Sequence, residues 1–252
     1  IDFITYASAT DRDAAFLSGK LDGMLTDYPG ATLLQAKGSR LRLVMETDGS
    51  LSLIASKKSN VRNPDDLKGK NISVSGNTFV EYATDEVMKR ACLHPGEVNK
   101  PEINNIPLRL MMLEDGQISA SFLPGPATAI ALNDGHTALL NTRQMGLHCT
   151  GIVFSEKAIT EKDEEIRRFI TGYNLGVKYL QTRPQNEWTE ILVKEFGLQE
   201  KAAMQIDLPD YRPATRPSYH DIEKIIAWLK SKRAIPDYYP GENLVDTTFI
   251  PG

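Results

Sequence analysis

Two stretches of this chain share one pattern of glycine, proline and apolar residues. The first, GKLDGMLTDYPGATLLQAKG, covers residues 19–38, and the second, GQISASFLPGPATAIALNDG, covers residues 116–135. A single offset (116 − 19 = 97) aligns their glycines and prolines, placing Gly19 on Gly116, Pro29 on Pro126 and Gly38 on Gly135. Each copy has the order of a helix closed by glycine, a short apolar strand, and a helix opened by proline. The chain is therefore expected to build one strand-to-helix unit in each of two sheets.

The elements around the two copies predict an α/β fold of two lobes. Short strands that alternate with helices indicate βαβ units and a mostly parallel sheet in each lobe. IDFIT before the first copy and EINNIP before the second are strand-like, and the apolar runs LSLIAS and TGIVFS are expected to cross between the lobes. We predict that residues 1–51 begin the first lobe, residues 52–150 form the second, and residues 151–252 return to the first with the C-terminal helices.

Composition and charge exclude several classes of function. Of the 252 residues, 41% are hydrophobic and 25% are charged, as in an ordinary globular protein. A net charge of −4 and a pI near 5.7 do not provide the broad basic surface that nucleic-acid binding needs. No apolar run approaches the roughly 18 residues of a membrane-spanning helix. Nucleic acid is therefore not an expected partner.

The residues that commonly hold metals do not form a ligand pattern. Cys92 and Cys149 do not belong to a CxxC pair, and the four histidines are scattered without an HExxH motif. The sequence predicts no metal site and no cofactor. Two free or buried thiols are the favoured interpretation of the cysteines, but a disulfide stays open because it depends on the distance between their Cα atoms.

The two lobes are not matched at their beginnings. A strand and helix at residues 71–93 precede EINNIP in the second lobe, and no equivalent stands before IDFIT in the first. We expect the native chain to carry a further mature segment about as long as residues 71–101, preceded by an export signal. That segment is expected to add a strand beside IDFIT and a helix at the ligand cleft.

Four stretches together carry a resemblance to a known family, namely GKLDGML with the PGATLLQAKG helix, NPDDLKGKNISVSGNT, EDGQISASFLPGPATAIALNDG, and the closing helix YHDIEKIIAWLKSKRAI. With them the chain resembles the solute-binding proteins of bacterial ABC importers, in the group that takes up aliphatic sulfonates, taurine, nitrate and thiamine precursors. The resemblance implies a two-lobe periplasmic-binding-protein fold with a ligand cleft and a hinge. It also implies a location in the periplasm, or lipid anchoring at the outer face of the cell membrane.

Under this resemblance the protein is a non-enzymatic binder of a small polar molecule, with no cofactor and with a membrane permease as partner. Capture by lobe closure needs only a monomer. The alternative is an enzyme on the same fold, similar to a eukaryotic pyrimidine synthase for thiamine or to a menaquinone-pathway dehydratase. The synthase's CCCFC run has no match here, and no acid/base pair in the sequence favours the dehydratase.

The duplicated corner predicts where the ligand is held. Ligands of open parallel sheets collect at the carboxyl ends of the strands, where helix N-termini point. In the second lobe these positions are Ser75, Gly76, Asn77 and Thr78, between the strand NISVS and the next helix. Gly76 would allow close backbone approach, and free N–H groups of the first helical turn would attract an acceptor. Thr78 and Glu81 also fit a capping box, in which Thr78 serves only the helix.

Five further residues complete the predicted site, namely Asp27, Tyr28, Pro124, Gly125 and His148. A cleft-facing Asp27 would select a donor or a cation, although it is an equally good candidate for a helix cap. Tyr28 would add a flat ring with a polar tip. Pro124 and Gly125 are their counterparts in the second copy. His148 precedes the return strand and is expected at the hinge end of the cleft. The alternative is that His148 is a buried, hydrogen-bonded histidine without a role in binding.

The aspartate also predicts the charge of the ligand. A carboxylate on one wall repels a pure anion, while helix N-terminal N–H groups on the other wall attract an acceptor. A ligand with both an acceptor and a donor or cationic group satisfies both walls. The sequence therefore predicts a thiamine-precursor-like heterocycle or an amino-sulfonate, and disfavours an inorganic anion.

Overall fold

Apolar strands and amphipathic helices alternate through most of the molecule. This computed structural model describes residues 1–204, 206, 208 and 210–250. The strands are β1 (Gly23–Asp27), β2 (Leu41–Thr47), β3 (Leu51–Ala55), β4 (Ile72–Ser73), β5 (Ala120–Pro124), β6 (Thr137–Asn141) and β7 (Thr150–Ser155). The helices are α1 (Ala9–Leu17), α2 (Tyr28–Ala36), α3 (Phe79–Arg90), α4 (Ile106–Asp115), α5 (Gly125–Asn133), α6 (Glu156–Glu161), α7 (Asp163–Thr182), α8 (Gln185–Phe196), α9 (Glu200–Met204) and α10 (Tyr219–Ser231), with a 3-10 helix at Pro64–Leu67.

The strands form two sheets, which we call sheet A and sheet B. Sheet A has the order β1-β7-β2, and sheet B has the order β4-β5-β3-β6. In each sheet one interior strand, β7 or β3, runs against its neighbours, while the other strands share one direction. Most strands of each sheet therefore point the same way, as predicted. The hydrogen-bonded pairs are nevertheless mostly antiparallel, and β4–β5 is the one parallel ladder among the described strands. The reason is that β3 and β7 each enter a sheet at the edge where their neighbours end.

The repeat in the sequence coincides with a repeat in the structure. β1 begins at residue 23 and β5 at residue 120 (120 − 23 = 97), and α2 and α5 follow them directly with nine residues each. The glycines that close the helices adopt left-handed backbone, with φ of 75° at Gly19 and 73° at Gly116. Glycine reaches this region without steric cost. The predicted corner is thus present twice, with the same element boundaries.

Two expectations about the flanking segments need correction. IDFIT is not a strand, because residues 1–6 are mostly exposed and belong to no ladder. β1 stays at the edge of sheet A, because residues 1–6 do not pair with it. Without a paired strand, the backbone N–H and C=O groups of IDFIT form no ladder hydrogen bonds. LSLIA and TGIVFS do not themselves cross between the sheets, since β3 lies wholly in sheet B and β7 in sheet A. The crossings are the short segments 48–50 and 142–149.

The C-terminal helices pack on both sheets. α7 places Ile166 and Ile170 against Val44 and Ile152 of sheet A, as expected. α8 and α9 instead pack against α5, beside sheet B, which differs from the expectation that the C-terminal helices cover the first lobe. α10 contacts α2 and also reaches α3, where the indole of Trp228 donates a hydrogen bond to Asp85 at 3.0 Å. The chain end therefore ties the two halves together.

The largest apolar cluster is continuous between the sheets. It includes Leu43 and Val153 from sheet A and Leu53 and Phe122 from sheet B, all at most 1% exposed. Burial of such side chains is the main source of stability in a structure of this size. Within the described part of the chain, none of the helices combines the length and the apolar character that a membrane span requires.

Candidate ligand-binding site

Asp27 lies where the two corners of the molecule meet. It is the last residue of β1 and the N-cap of α2, and its Oδ1 accepts a hydrogen bond from the Gly30 N–H at 2.7 Å. Its Oδ2 accepts a second bond, at 3.0 Å, from the N–H of Phe79, the first residue of α3. One carboxylate thus caps a helix beside each sheet. The helix-cap role predicted for Asp27 is therefore present, and its contact with a ligand stays a prediction.

The environment of this carboxylate disfavours its charge. Burial raises the pKa of Asp27, and the rise is opposed by the Phe79 N–H, by the charge of Arg12 and by the Gly30 N–H. Arg12 also donates to Thr26, the residue before Asp27, at 3.0 Å. A carboxylate with little solvent gains from any further donor or cation that reaches it. This position is therefore chemically suited to a donor group of a ligand.

The N-terminus of α3 is capped by side chains of the protein itself. Asn77 N–H donates to Glu81 at 2.7 Å, and Val80 N–H donates to the hydroxyl of Thr78 at 3.2 Å. The capping interpretation of Thr78 is therefore confirmed, although Glu81 reaches the N–H of Asn77 where a standard box would use that of Thr78. With Phe79 N–H bonded to Asp27, these N–H groups already have acceptors in this conformation.

Ser75 and Gly76 contact a neighbouring loop. The Ser75 hydroxyl donates to the side-chain oxygen of Asn104 at 2.7 Å. A Cβ on Gly76 would lie 2.9 Å from a carboxylate oxygen of Glu102, so the close approach that this glycine permits is made by Glu102. A carboxylate at the tip of a flexible side chain can move away. Ligand contact at residues 75–77 stays a prediction that requires Glu102 to shift.

Tyr28 does not present its ring to a cleft. The side chain is fully buried, and its hydroxyl donates to Glu46 at 2.8 Å. Its own N–H donates to the carbonyl oxygen of Cys149 at 2.8 Å. The expectation of a ligand-facing Tyr28 is therefore wrong. Its ring packs in the core and anchors the start of α2.

Pro124 and Gly125 form the equivalent corner of sheet B. Both are partly exposed, and α5 has no side-chain cap because its N-cap residue is Pro124. A Cβ on Gly125 would meet no atom within 4 Å, so open space lies beside this glycine. The structure leaves this corner accessible while the Asp27 corner is occupied by the protein's own groups.

His148 lies at the crossing between the sheets, beside two carboxylates. One ligand atom each from Glu46, Asp48 and His148 lie within 4.8 Å of one another, which is a spacing that a metal ion could use. Both carboxylates are already paired with Arg212, whose Nη2 lies 2.7 Å from Glu46 and 2.6 Å from Asp48. A cation would have to displace this guanidinium. The arrangement therefore acts as a brace of the crossing segment 48–50, and His148 borders it.

Sequence reasoning missed this brace because its members are far apart in the chain. Arg212 lies 164 residues from Asp48, and it contacts Asp48 with both its main-chain N–H and its Nε. No local motif marks such a contact. A weak signal exists in the run ETDG at residues 46–49, where two acids come directly after the apolar residues LVM.

Cys149 is enclosed rather than reactive. Burial raises its thiol pKa well above the ordinary value, and the charges of Asp221, Asp27 and Glu46 act in the same direction. The thiolate is the nucleophilic form of cysteine, so this thiol is a poor nucleophile. Cys149 and Cys92 are both free, which decides the open question of their pairing.

Two open grooves lie elsewhere on the surface, at the edges of sheet A. One is lined by Arg42, Glu156 and residues 245–248, and the other by residues around α1 and α6. Neither includes a residue of the predicted site. Most of their lining residues are partly or fully exposed, without convergent buried polar groups, so we place the candidate site at the Asp27 corner.

Comparison with known proteins finds the same fold in several solved structures. Solved structures with the same fold include the alkanesulfonate-binding protein SsuA from Xanthomonas axonopodis bound to MOPS, with 18% identity, a TM-score of 0.80, and coverage of 93% of this chain and 83% of that one. A zinc-bound ligand-binding component of an ABC-type import system from Staphylococcus aureus matches with 14% identity, a TM-score of 0.77, and coverage of 98% and 85%. The desulfurization enzyme DSZB matches with 12% identity, a TM-score of 0.65, and coverage of 91% and 84%.

These similarities confirm the two-lobe periplasmic-binding-protein fold. No curated protein matches the sequence. A family model described as NMT1/THI5 like matches residues 1–187, which include both copies of the corner, both sheets and the predicted site. The chain therefore belongs to the NMT1/THI5-like family.

Proposed function

We propose that this protein is a non-enzymatic solute-binding protein that captures a small polar molecule between its two lobes. The observation that carries the proposal is the bond from Phe79 N–H to Asp27 Oδ2, which joins the carboxyl end of β1 to the first turn of α3. A carboxylate at a helix N-terminus is the contact that an acceptor group of a ligand would make. Here the protein makes it with its own side chain.

This contact suggests how a ligand enters. A ligand acceptor that replaces Asp27 at the Phe79 N–H leaves the carboxylate without one of its two bonds. A donor or cationic group on the same ligand then restores it. A molecule with both groups exchanges one bond for two, whereas a pure anion leaves a poorly solvated carboxylate beside itself. We therefore propose a thiamine-precursor-like heterocycle or an amino-sulfonate as the ligand class.

The wider role follows from the family and the fold. Lobe closure about segments 48–50 and 142–149 would trap the ligand, and the closed form would be recognised by the membrane permease of an ABC importer. We place the protein outside the cytoplasm, in the periplasm or anchored by lipid at the outer face of the membrane. Closure within one chain requires no second copy, so a monomer is sufficient.

Replacing Asp27 by asparagine tests the charge argument. Asp27→Asn keeps the shape and one of the two acceptor atoms but removes the charge, and we expect it to weaken binding of taurine or an aminopyrimidine by about 10- to 100-fold. Calorimetric titration of both compounds, with nitrate and methanesulfonate alongside, provides the measurement. Asp237→Asn, at an exposed aspartate, is the matched control and should bind as the parent does. Tighter binding by Asp27→Asn, or strongest binding of nitrate, would contradict the proposal.

The enzymatic alternative is disfavoured by the chemistry of the candidate site. Cys149 is held as a thiol, and the carboxylates Glu46 and Asp48 are neutralised by Arg212. Neither is prepared for nucleophilic or general base catalysis. Incubation with the bound compound should return it unchanged. Steady formation of a product would reverse the assignment.

A further inference from the structure

Arg109 is a buried cation without a counter-ion. It lies in the first turns of α4 and is only 3% exposed. Its Nη1 donates to the carbonyl oxygen of Phe122 at 2.9 Å, and its Nε has no hydrogen-bond partner. Among the described residues no carboxylate forms an ion pair with it, and burial lowers its pKa to about 10 with no opposing charge nearby.

Such a group is unusual, because an uncompensated buried charge is strongly destabilising. Buried arginines are normally paired with carboxylates or with anionic ligands. Even Arg212, whose side chain is half-exposed, is paired with the carboxylates of Glu46 and Asp48. The missing partner of Arg109 is therefore the feature that requires an explanation.

A second unpartnered group lies on the same side of sheet B. Ser73 is fully buried, and its hydroxyl has no hydrogen-bond partner. Ser73 pairs with Ser121 in the parallel ladder, so both side chains project to one face of the sheet. That face is the one covered by α4, because Leu123, two residues after Ser121, packs with Leu113 of α4.

The contacts of Ser121 bring these groups to one place. Its hydroxyl lies 3.4 Å from the carbonyl oxygen of Ser73 and 3.4 Å from that of Phe122, which is the carbonyl that Arg109 Nη1 contacts. Arg109 and Leu113 are four residues apart on α4 and so share the face turned to the sheet. Two hydroxyls and a guanidinium thus lie along the same part of sheet B beneath the first turns of α4, and the Ser73 hydroxyl and the Arg109 Nε have no hydrogen-bond partner.

We propose that Arg109, Ser73 and Ser121 form a binding site for an oxyanion, a carboxylate, sulfonate or sulfate group, between α4 and sheet B. A planar guanidinium with free N–H groups matches two oxygens of such a group, and hydroxyls supply further donors. The site lies at Ser73, the last residue of β4, and at Ser121, three residues before the end of β5 at Pro124. The occupant is either a free inorganic anion or the acidic end of the transported solute. The inference stands independently of the ligand class proposed for the Asp27 corner.

The test uses protein unfolded, refolded and dialysed into chloride buffer, so that any co-purified anion is removed. Sodium sulfate, sodium methanesulfonate and taurine are titrated at constant ionic strength, and binding is followed by calorimetry and by melting temperature. We expect saturable binding of at least one of them to the parent protein. Sulfate binding would identify a free inorganic anion, and taurine or methanesulfonate binding without sulfate binding would identify the acidic end of a solute.

Arg109→Met should weaken this binding by about 100-fold, and Ser73→Ala by about tenfold. Arg109→Met should also melt at or above the parent temperature in chloride alone, because it removes an unpaired buried charge. A purely structural arginine would show the opposite, a lower melting temperature with no change in anion binding. Arg168→Met, at an exposed arginine of α7, is the control and should bind like the parent.

The outcomes separate this inference from the proposed function. No binding of sulfate, methanesulfonate or taurine to the parent, or equal binding by Arg109→Met, overturns the oxyanion site. If Arg109→Met does not fold, Ser73→Ala decides, since unchanged anion affinity in that variant also overturns the site. Binding of an aminopyrimidine that depends on Asp27 but not on Arg109 would leave the solute-binding function intact while removing this inference.

Discussion

The two copies of the corner have the same backbone and opposite chemistry. In sheet A the corner ends in Asp27, whose carboxylate caps α2 and also reaches α3. In sheet B the aligned residue is Pro124, and α5 begins without a side-chain cap. The acid stands beside sheet A, and the unpaired cation, Arg109, stands beside sheet B. Duplication has supplied one scaffold twice, with an acid beside one copy and an unpaired cation beside the other.

The strand that leads into each corner offers the largest expected effect. Gly23 of β1 aligns with Ala120 of β5, and a Cβ at Gly23 would lie 2.5 Å from the Phe154 ring and 2.7 Å from the carbonyl oxygen of Val153. A ring can rotate, but a strand carbonyl cannot move freely. Gly23→Ala should therefore destabilise the protein by about 3 kcal/mol. Urea unfolding provides the measurement.

The reverse exchange in the second copy is the matched control. Ala120→Gly removes a buried methyl group and adds backbone freedom, which should cost about 1 kcal/mol. The two copies would be equivalent at this position if both exchanges had the same effect.

Replacing the N-cap residues of the two corners should have the next largest effect on stability. Asp27→Ala removes acceptors from Gly30 and Phe79 and should destabilise the protein by about 2 kcal/mol, since part of the loss is offset by releasing a poorly solvated carboxylate. Pro124→Ala, at the aligned position, removes no side-chain hydrogen bond and should change stability by less than about 0.5 kcal/mol. Denaturant midpoints of the two variants decide. Equal losses would show that Asp27 contributes no more than its aligned proline.

The smallest effect concerns pH and uses two carboxyl groups that respond in opposite directions. Glu81 has a lowered pKa, because bonds from Lys232 and the Asn77 N–H outweigh burial, so its stabilisation is present above 4.5 and is lost as pH falls. Asp27 has a raised pKa, so its contribution is present below 3.8 and is lost as pH rises. As pH falls, the parent protein therefore loses stability at Glu81 and gains stability at Asp27, and the two changes partly cancel.

Asp27→Asn removes one of the two trends. The variant should lose stability more steeply than the parent as pH falls from about 6 to 4, by a difference of about 1 kcal/mol. Melting temperatures across this range measure the slope. A parallel shift of the two profiles, with no difference in slope, would show that Asp27 does not titrate in this window.

Much of the fold was accessible to the sequence, because it depends on local rules. Left-handed glycines at 19 and 116 and prolines at the first helical turns set the corners, and these signals act within a few residues. The IDFIT prediction was wrong for a related reason: an apolar run becomes a strand only when it pairs with another strand, and residues 1–6 belong to no ladder of the described chain. Strand-like composition is necessary for a ladder, and it is not sufficient.

The candidate site was only partly accessible. Asp27 and Thr78 could be named as caps from sequence, but the fact that Asp27 also reaches Phe79 is a tertiary contact over 52 residues. Arg109 carried a signal that was overlooked: it is the one charged residue in the run IPLRLMML, on a helix that must bury its apolar face. A charge inside such a run is either exposed or requires a partner, and only the structure shows which.

The order of strands in the two sheets also has a consequence for how the chain folds. Sheet B is made entirely from residues 51–141, whereas sheet A needs β7 to return beside β1, pairing Gly23 with Phe154 across 131 residues (154 − 23). Closing so long a loop is slower than forming the β3–β5 ladder, whose ends at Leu51 and Pro124 are 73 residues apart (124 − 51). We expect sheet B to gain protection first in pulsed hydrogen exchange during refolding. Sheet A and the Asp27 contact would follow, so that the surface we propose for ligand binding would be the last part of the molecule to become native.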